Sequence, residues 1–167
     1  SLFRISSVWS AVSNIYAGFL IAGGPFFSAR MLTGMLVSAL MIAAGMALND
    51  VADKSSDAAE RPERPIPSGK ISIKAAVWVS VSMLALAMLL VGFTHLPSII
   101  PAALLAYSIY LYNFINKNGV YGPLNMGMCR VFNFSLGLTL GASQGSFENI
   151  FSFRVLFVLV TLGLYTV

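Results

Sequence analysis

Hydrophobic residues follow one another along this chain in long, nearly unbroken stretches, parted by short polar or Gly/Pro-bearing connections. A helix needs about 20 consecutive apolar residues to cross a bilayer. By that measure the pattern predicts six spans, at about Ser7–Gly24, Met31–Leu48, Ala75–Phe93, Ser98–Phe114, Gly122–Ala142 and Phe151–Val167. A membrane barrel would show stretches of about ten residues alternating apolar and polar, so continuous apolarity predicts helices. Gly23-Gly24-Pro25 closes the first span, Leu96-Pro97 opens the fourth, and Gly119 and Gly122-Pro123 separate the fourth from the fifth. The expected fold is all-α, a polytopic helical bundle forming a single membrane domain over residues 1–167.

Composition sharpens this picture. Of 167 residues, 57% are hydrophobic and 10% charged, too few polar groups to cover a water-facing surface, which argues against a soluble domain. A lone Cys129 in an apolar run excludes a disulfide framework within the chain and reads as a small buried residue. The first apolar stretch lacks the small-residue cleavage pattern of a signal peptide, and more spans follow it, so it reads as a span. Ser1 and Val167, the latter inside an apolar run, are expected to be the ends of a fragment.

The net charge of +4 does not point to nucleic acid, because half of the basic residues fall in one connection between spans. Lys54, Arg61, Arg64, Lys70 and Lys74 crowd the segment after the second span, whereas the first connection has Arg30 and the third only His95. The positive-inside rule then places the N-terminus and segment 49–74 on the cytoplasmic side of a cell inner or organellar membrane. Lys117 falls on that side too. Arg154, beside Glu148, falls on the other and is a mild exception. His95, in an opposite-side connection, reads as a surface or interfacial histidine.

Five of the six acidic residues lie between Asp50 and Glu63. If the second helix continues past Leu48, Asn49, Asp53 and Asp57 stand at i, i+4 and i+8 and project from one face, with Asp50 about 100° round the helix on the flank. Oxygen donors so placed suit a hard cation, and magnesium is commonly held by one or two carboxylates plus substrate phosphate oxygens. Arg61, Arg64 and Lys70 complement them: guanidinium pairs bidentately with phosphate, and ammonium adds a compact charge. Pro62, Pro65 and Pro67 would stop the helix and hold these cations on a stiff connection. The whole reads as a magnesium-diphosphate site. A merely solvated connection would not need the ordered Asn/Asp spacing, although Lys54, Glu60 and Glu63 read individually as solvated. The pattern also lacks the alternating ligands and terminal Glu of an EF-hand.

A further cation sits inside the fifth span, in Gly122-Pro123-Leu124-Asn125-Met126-Gly127-Met128-Cys129-Arg130-Val131-Phe132-Asn133. A charge at such a position is costly and normally faces the bundle interior or a cavity, so Arg130 is a candidate for binding the polar end of the same substrate. Asn125 and Asn133 could share its inward face. Gly127 and Gly137 read as helix-packing positions.

Asn49-Asp50-x-x-Asp53-x-x-x-Asp57, followed by Arg61, Arg64-Pro65-Ile66-Pro67, Gly69 and Ile71-Ser72, resembles the first aspartate-rich motif of the UbiA superfamily of intramembrane prenyltransferases. Residues 122–133 also resemble the EboC-like branch of that superfamily, on fewer positions. The resemblance implies a bundle of about nine spans, of which this chain would supply the N-terminal five to six. It implies Mg2+ bound to a prenyl diphosphate, and transfer of the prenyl group to a small acceptor, commonly an aromatic ring. It implies metal roles for Asn49, Asp50, Asp53 and Asp57, and diphosphate contacts from Asn14, Arg61, Arg64, Lys70, Tyr112 and Arg130. Asp53, Asp57 and Lys117 would be the catalytic set. Tyr112 and Lys117 match a pair closing the family's fourth span, at a spacing one residue longer than in many members. As bare residues, Asn14 could equally be interhelical glue, and Lys117 an interfacial lysine snorkelling to water. The family's second aspartate-rich motif would follow the sixth span, beyond these residues. A non-catalytic transporter or lipid-binding factor that keeps the anion site is the alternative, and the bilayer is the expected partner in either case.

Overall fold

The computed structural model describes residues 2–115, 121–142, 158–161 and 163, with side chains from Ser7 onward. All regular structure among them is helical: α1 Leu2–Ile21, α2 Ala29–Ala52, α3 Lys54–Glu60, α4 Ile73–Thr94, α5 Ile99–Phe114 and α6 Tyr121–Gly141, with a 3-10 turn at Leu96–Ser98 leading into α5. The first five predicted spans each overlap one of these long helices; α1 starts five residues before its span and stops three short of Gly24, and Ser98 and Ala142 lie just outside α5 and α6. Of the sixth, at 151–167, only 158–161 and 163 are described.

Local chemistry sets the helix starts and stops. Ser28 and Ser72 accept hydrogen bonds from Met31 N and Ala75 N, capping α2 and α4. Ser72, at the end of the motif segment, therefore has a capping job of its own. Arg61 leaves helical geometry at φ −145°, as a residue before proline must, and ends α3. Gly69 takes φ +75°, a left-handed turn open to glycine, just before α4.

Three helices are long and apolar enough to cross a membrane by length and composition: Ala29–Ala52, Ile73–Thr94 and Leu96–Phe114, the last joining the 3-10 turn to α5. Ser7–Ile21 is a shorter apolar run. α4 shows why these helices need lipid. Trp78, Leu89 and Phe93 are exposed along it, while Ala76, Ser80, Ala87 and Val91 form its narrow buried face. Such an outer surface is stable against hydrocarbon and costly against water. The protein is an integral membrane protein.

α2 packs against α1 and α4, and α6 against α1 and α5. Ile15, Val37, Met41, Leu105, Leu136 and Leu140 bury almost completely between them. The α1 and α6 backbones approach closely: a Cβ at Gly137 would meet the carbonyl oxygen of Ile15, and one at Gly141 that of Phe19. Gly137 thus packs helices as its sequence position suggests, and the small residues allow backbone-to-backbone approach. Asn133 locks three helices together, donating to Ala11 O at 2.7 Å and accepting from Ser38 Oγ at 2.8 Å. Asn125 Nδ2 ties α6 to α5 through Ser108 O at 2.9 Å.

Candidate functional site

α2 does continue past Leu48, and the helical ladder survives its junction with α3. Asp53 N donates to Asn49 O at 2.9 Å, Asp57 N to Asp53 O at 2.8 Å and Arg61 N to Asp57 O at 2.8 Å. Asp53 itself sits at φ −87°, ψ 4°, a shallow bend between the two helices. Asn49, Asp53 and Asp57 therefore keep their four-residue spacing along one continuous hydrogen-bonded path.

Their side chains divide into two groups. Asn49 Nδ2 donates to Asp53 Oδ2 at 3.0 Å. Asp57, only 6% exposed, accepts from Arg64 Nη1 at 2.6 Å, and the same nitrogen lies 3.7 Å from Asp50 Oδ1. The turn that carries Arg64 back is held by the main chain: Arg64 N bonds Arg61 O, Ser68 N bonds Arg64 O, and Ile71 N bonds Pro65 O. Arg64, expected to face diphosphate, here joins Asp50 to Asp57. Arg61 and Lys70 stand exposed on the same connection. Among the described residues no three His, Cys, Asp or Glu side chains gather as a metal-holding group. The donor chemistry nonetheless suits magnesium, because the paired Asn49 and Asp53 supply the amide and carboxylate oxygens such an ion takes alongside substrate phosphates.

Below this segment lies a cavity of about 260 Å³. It brings together Asn14 from α1, Asn49 from α2, Tyr112 from α5 and Arg130 from α6. Four side chains singled out from separate stretches of sequence thus meet at one end of the bundle. Arg130 is the charged residue of the lining, and Ile42, Met46, Ile109 and Met126 give it apolar walls. Asn133 lines it too while bonding α1 and α2; Asn125 is spent on its bond to α5. Lys117 lies outside the described residues.

Ser7, Ser10, Asn113 and Cys129 line the cavity without having been singled out as site residues. Cys129 is half-buried at that wall and not sealed in a core. A signal for Asn113 existed: it is an amide in an apolar span, next to Tyr112.

A family model for the UbiA prenyltransferase family matches residues 11–167. The chain belongs to the UbiA prenyltransferase family. This UbiA-family chain is 34% identical over 128 residues to a digeranylgeranylglyceryl phosphate synthase of Saccharolobus solfataricus, covering 74% of the chain and 44% of that protein. The same-named protein of Methanopyrus kandleri is 30% identical over 132 residues, or 76% of the chain and 48% of the relative. The chain therefore spans about half the length of the curated relatives it matches. Its fold follows that of a solved digeranylgeranylglyceryl phosphate synthase structure, with a TM-score of 0.78 and 26% identity over 98% of this chain and 55% of that one. A UbiA homologue from Archaeoglobus fulgidus bound to DMAPP and Mg2+ shares the fold at a TM-score of 0.76 and 19% identity, over 84% of this chain and 53% of the homologue.

Proposed function

We propose that this UbiA-family chain forms the donor-binding part of a membrane prenyltransferase that moves a prenyl group from a prenyl diphosphate to a small acceptor. The observation that carries this reading is the convergence of Asn14, Asn49, Tyr112 and Arg130, from four helices, on one cavity beside the Asp53 and Asp57 helix turns. The family relationship and the Mg2+ and prenyl diphosphate bound to the Archaeoglobus homologue support it.

In this reading Asn49 and Asp53 would hold Mg2+, with Asp50 and Asp57 set in place beside them by Arg64. The chemistry supplied by the ion when bound is neutralisation of charge on the departing diphosphate. Arg61 and Lys70 reach the diphosphate from the connection, Lys117 joins them, and Arg130 and Asn14 contact it from within the bundle. Cations placed where negative charge grows favour the transition state over the ground state. The carbon–oxygen bond breaks with its electron pair left on diphosphate. The acceptor's nucleophilic atom bonds to that carbon, and its proton passes to an oxygen of the released diphosphate. Ile42, Met46, Ile109 and Met126 keep water from the electrophilic carbon.

The relatives' name describes a glyceryl phosphate carrying prenyl groups, which supports a hydroxyl acceptor of that class. An aromatic acceptor, expected from the wider resemblance, is the other arm of the test. The basic crowding of segment 49–74 supports a cytoplasmic site in an inner or organellar membrane. The chain is read as part of one membrane domain.

The test is prenyl transfer by the full-length protein in membranes with Mg2+, offered a prenylglyceryl phosphate or a hydroxybenzoate. Asp53→Ala is expected to lower product by roughly 100-fold, the scale of losing one preorganised electrostatic group. Equal product from wild type and variant overturns the site. Binding of donor with no diphosphate released by wild type favours a transporter or lipid-binding factor instead.

A further inference from the structure

The start of α4 carries chemistry that the reaction above does not use. α4 is the least covered of the three helices long enough to span: 22% of its most apolar stretch is buried, against 39% for each of the other two. α2 and α5 occupy its inner side, where Ala76, Ser80, Ala87 and Val91 are buried. Lys74, Trp78, Val81, Ala85 and Leu89 are all exposed and follow one another at helical spacing, so they form a stripe along the opposite side. The stripe is apolar apart from Lys74 at its head. Among the described residues Arg64 takes up the acids Asp50 and Asp57, and Lys74 is in no ion pair.

A lysine one turn outside a tryptophan follows the order of depth in a bilayer. Four residues advance a helix by about 6 Å, which sets the indole at the headgroup level and the ammonium among the phosphates beyond it. Ile71 and Ile73, 45% and 38% exposed, continue the apolar surface beside Lys74. The other end of α4 differs: Phe93 is 89% exposed there, and the last turn has no basic residue. Charge therefore singles out one leaflet. From Arg61 to Lys74 four cations meet a single acid, Glu63, and the positive end of the α4 dipole adds to their field. A partner for this surface needs an anionic head and a hydrocarbon body in one molecule. We propose that the start of α4 binds an anionic phospholipid of the leaflet on the side of segment 49–74, with its phosphate on Lys74 and an acyl chain along Trp78, Val81 and Ala85. A zwitterionic lipid fits the same stripe, but its own cation cancels the attraction of its phosphate to Lys74. The site lies outside the proposed diphosphate contacts, and it stands whether or not the chain transfers prenyl groups.

The experiment reads lipids at this stripe and nowhere else. Full-length protein carrying the photocrosslinking residue benzoylphenylalanine in place of the exposed Val81 is reconstituted in vesicles of equal parts phosphatidylglycerol and phosphatidylcholine, irradiated, and its lipid adducts are weighed by mass spectrometry. Phosphatidylglycerol is expected to exceed phosphatidylcholine among the adducts by about fivefold, the scale of one lysine at an anionic membrane surface. Lys74→Gln should bring the ratio close to one, as should roughly 0.5 M salt, which screens the charge. Lys74→Arg keeps the cation and should keep the preference, which also reports that position 74 tolerates substitution. Lys54→Gln removes an exposed lysine from α3, off the stripe, and should leave the ratio alone. A ratio near one in the parent protein, or a ratio that survives Lys74→Gln or falls equally with Lys54→Gln, overturns the proposal. Adducts to protein instead of lipid would show this face covered by another helix or a second copy, and overturn it too.

Discussion

Arg64 illustrates how one side chain can serve the site from outside the cavity. Its bond to the buried Asp57 carboxylate is short and charge-assisted, and its approach to Asp50 keeps two acids of one motif from repelling each other. Removing the guanidinium strands a carboxylate that is almost fully covered. Arg64→Ala is therefore expected to lower stability by about 2 kcal/mol, as for loss of a hydrogen bond to a charged group. Because the penalty comes from the abandoned charge, Asp57→Ala added to Arg64→Ala should recover part of it. Thermal unfolding of the two variants in detergent measures both effects. An Arg64→Ala protein as stable as wild type would show that the pair contributes nothing to the fold.

At the scale of elements, the α1–α6 contact positions half of the cavity, since Asn14 stands on one helix and Arg130 on the other. That contact depends on Gly137 and Gly141 meeting main chain, where nothing flexible can yield. Gly137→Ala is expected to push the helices apart and cost about 1–3 kcal/mol as an overpacked position. Gly92→Ala is the control: a Cβ there would stand 3.6 Å from Ile99 Cδ1, an ordinary contact, and the substitution should be tolerated. Detergent unfolding that ranks the two variants alike would remove the close-packing argument. Asn133 reinforces the same junction with bonds to both α1 and α2, so the polar groups of α6 join helices as well as line the cavity.

Across the whole molecule, the end away from the cavity has its own polar network. His95 Nδ1 meets Ser98 Oγ at 2.9 Å, Ser98 Oγ donates to Thr139 Oγ1 at 2.9 Å, and Thr139 Oγ1 donates to Leu136 O at 3.0 Å. Burial first, and Arg30 second, hold the imidazole below its ordinary value of 6.5. The folded protein thus binds a proton at His95 less readily than the unfolded chain. This contribution to stability is complete above about pH 6.5 and declines as pH falls through that value toward the lower folded one. His95→Gln should flatten this part of the pH–stability curve, measured by unfolding midpoints between about pH 5 and 8. An unchanged slope would assign it to other groups.

The bundle was legible in the chain because its evidence is local: some twenty apolar residues in a row, with Pro and Gly at the ends, act within a few residues of themselves. The four-residue spacing of Asn49, Asp53 and Asp57 was likewise a property of one helix, and the hydrogen-bonded path from α2 into α3 preserves it. Tertiary structure alone decided which of those side chains face the cavity and which face Arg64, since that depends on a connection whose fold is set by its own main-chain bonds. It alone brought Asn14, Tyr112 and Arg130 to Asn49, and showed that Asn125 and Asn133 bond neighbouring helices. Asn113 marks the boundary: its place in an apolar helix was visible in the sequence, but the bond from its Nδ2 to Gly45 O exists only once another helix has been packed against it.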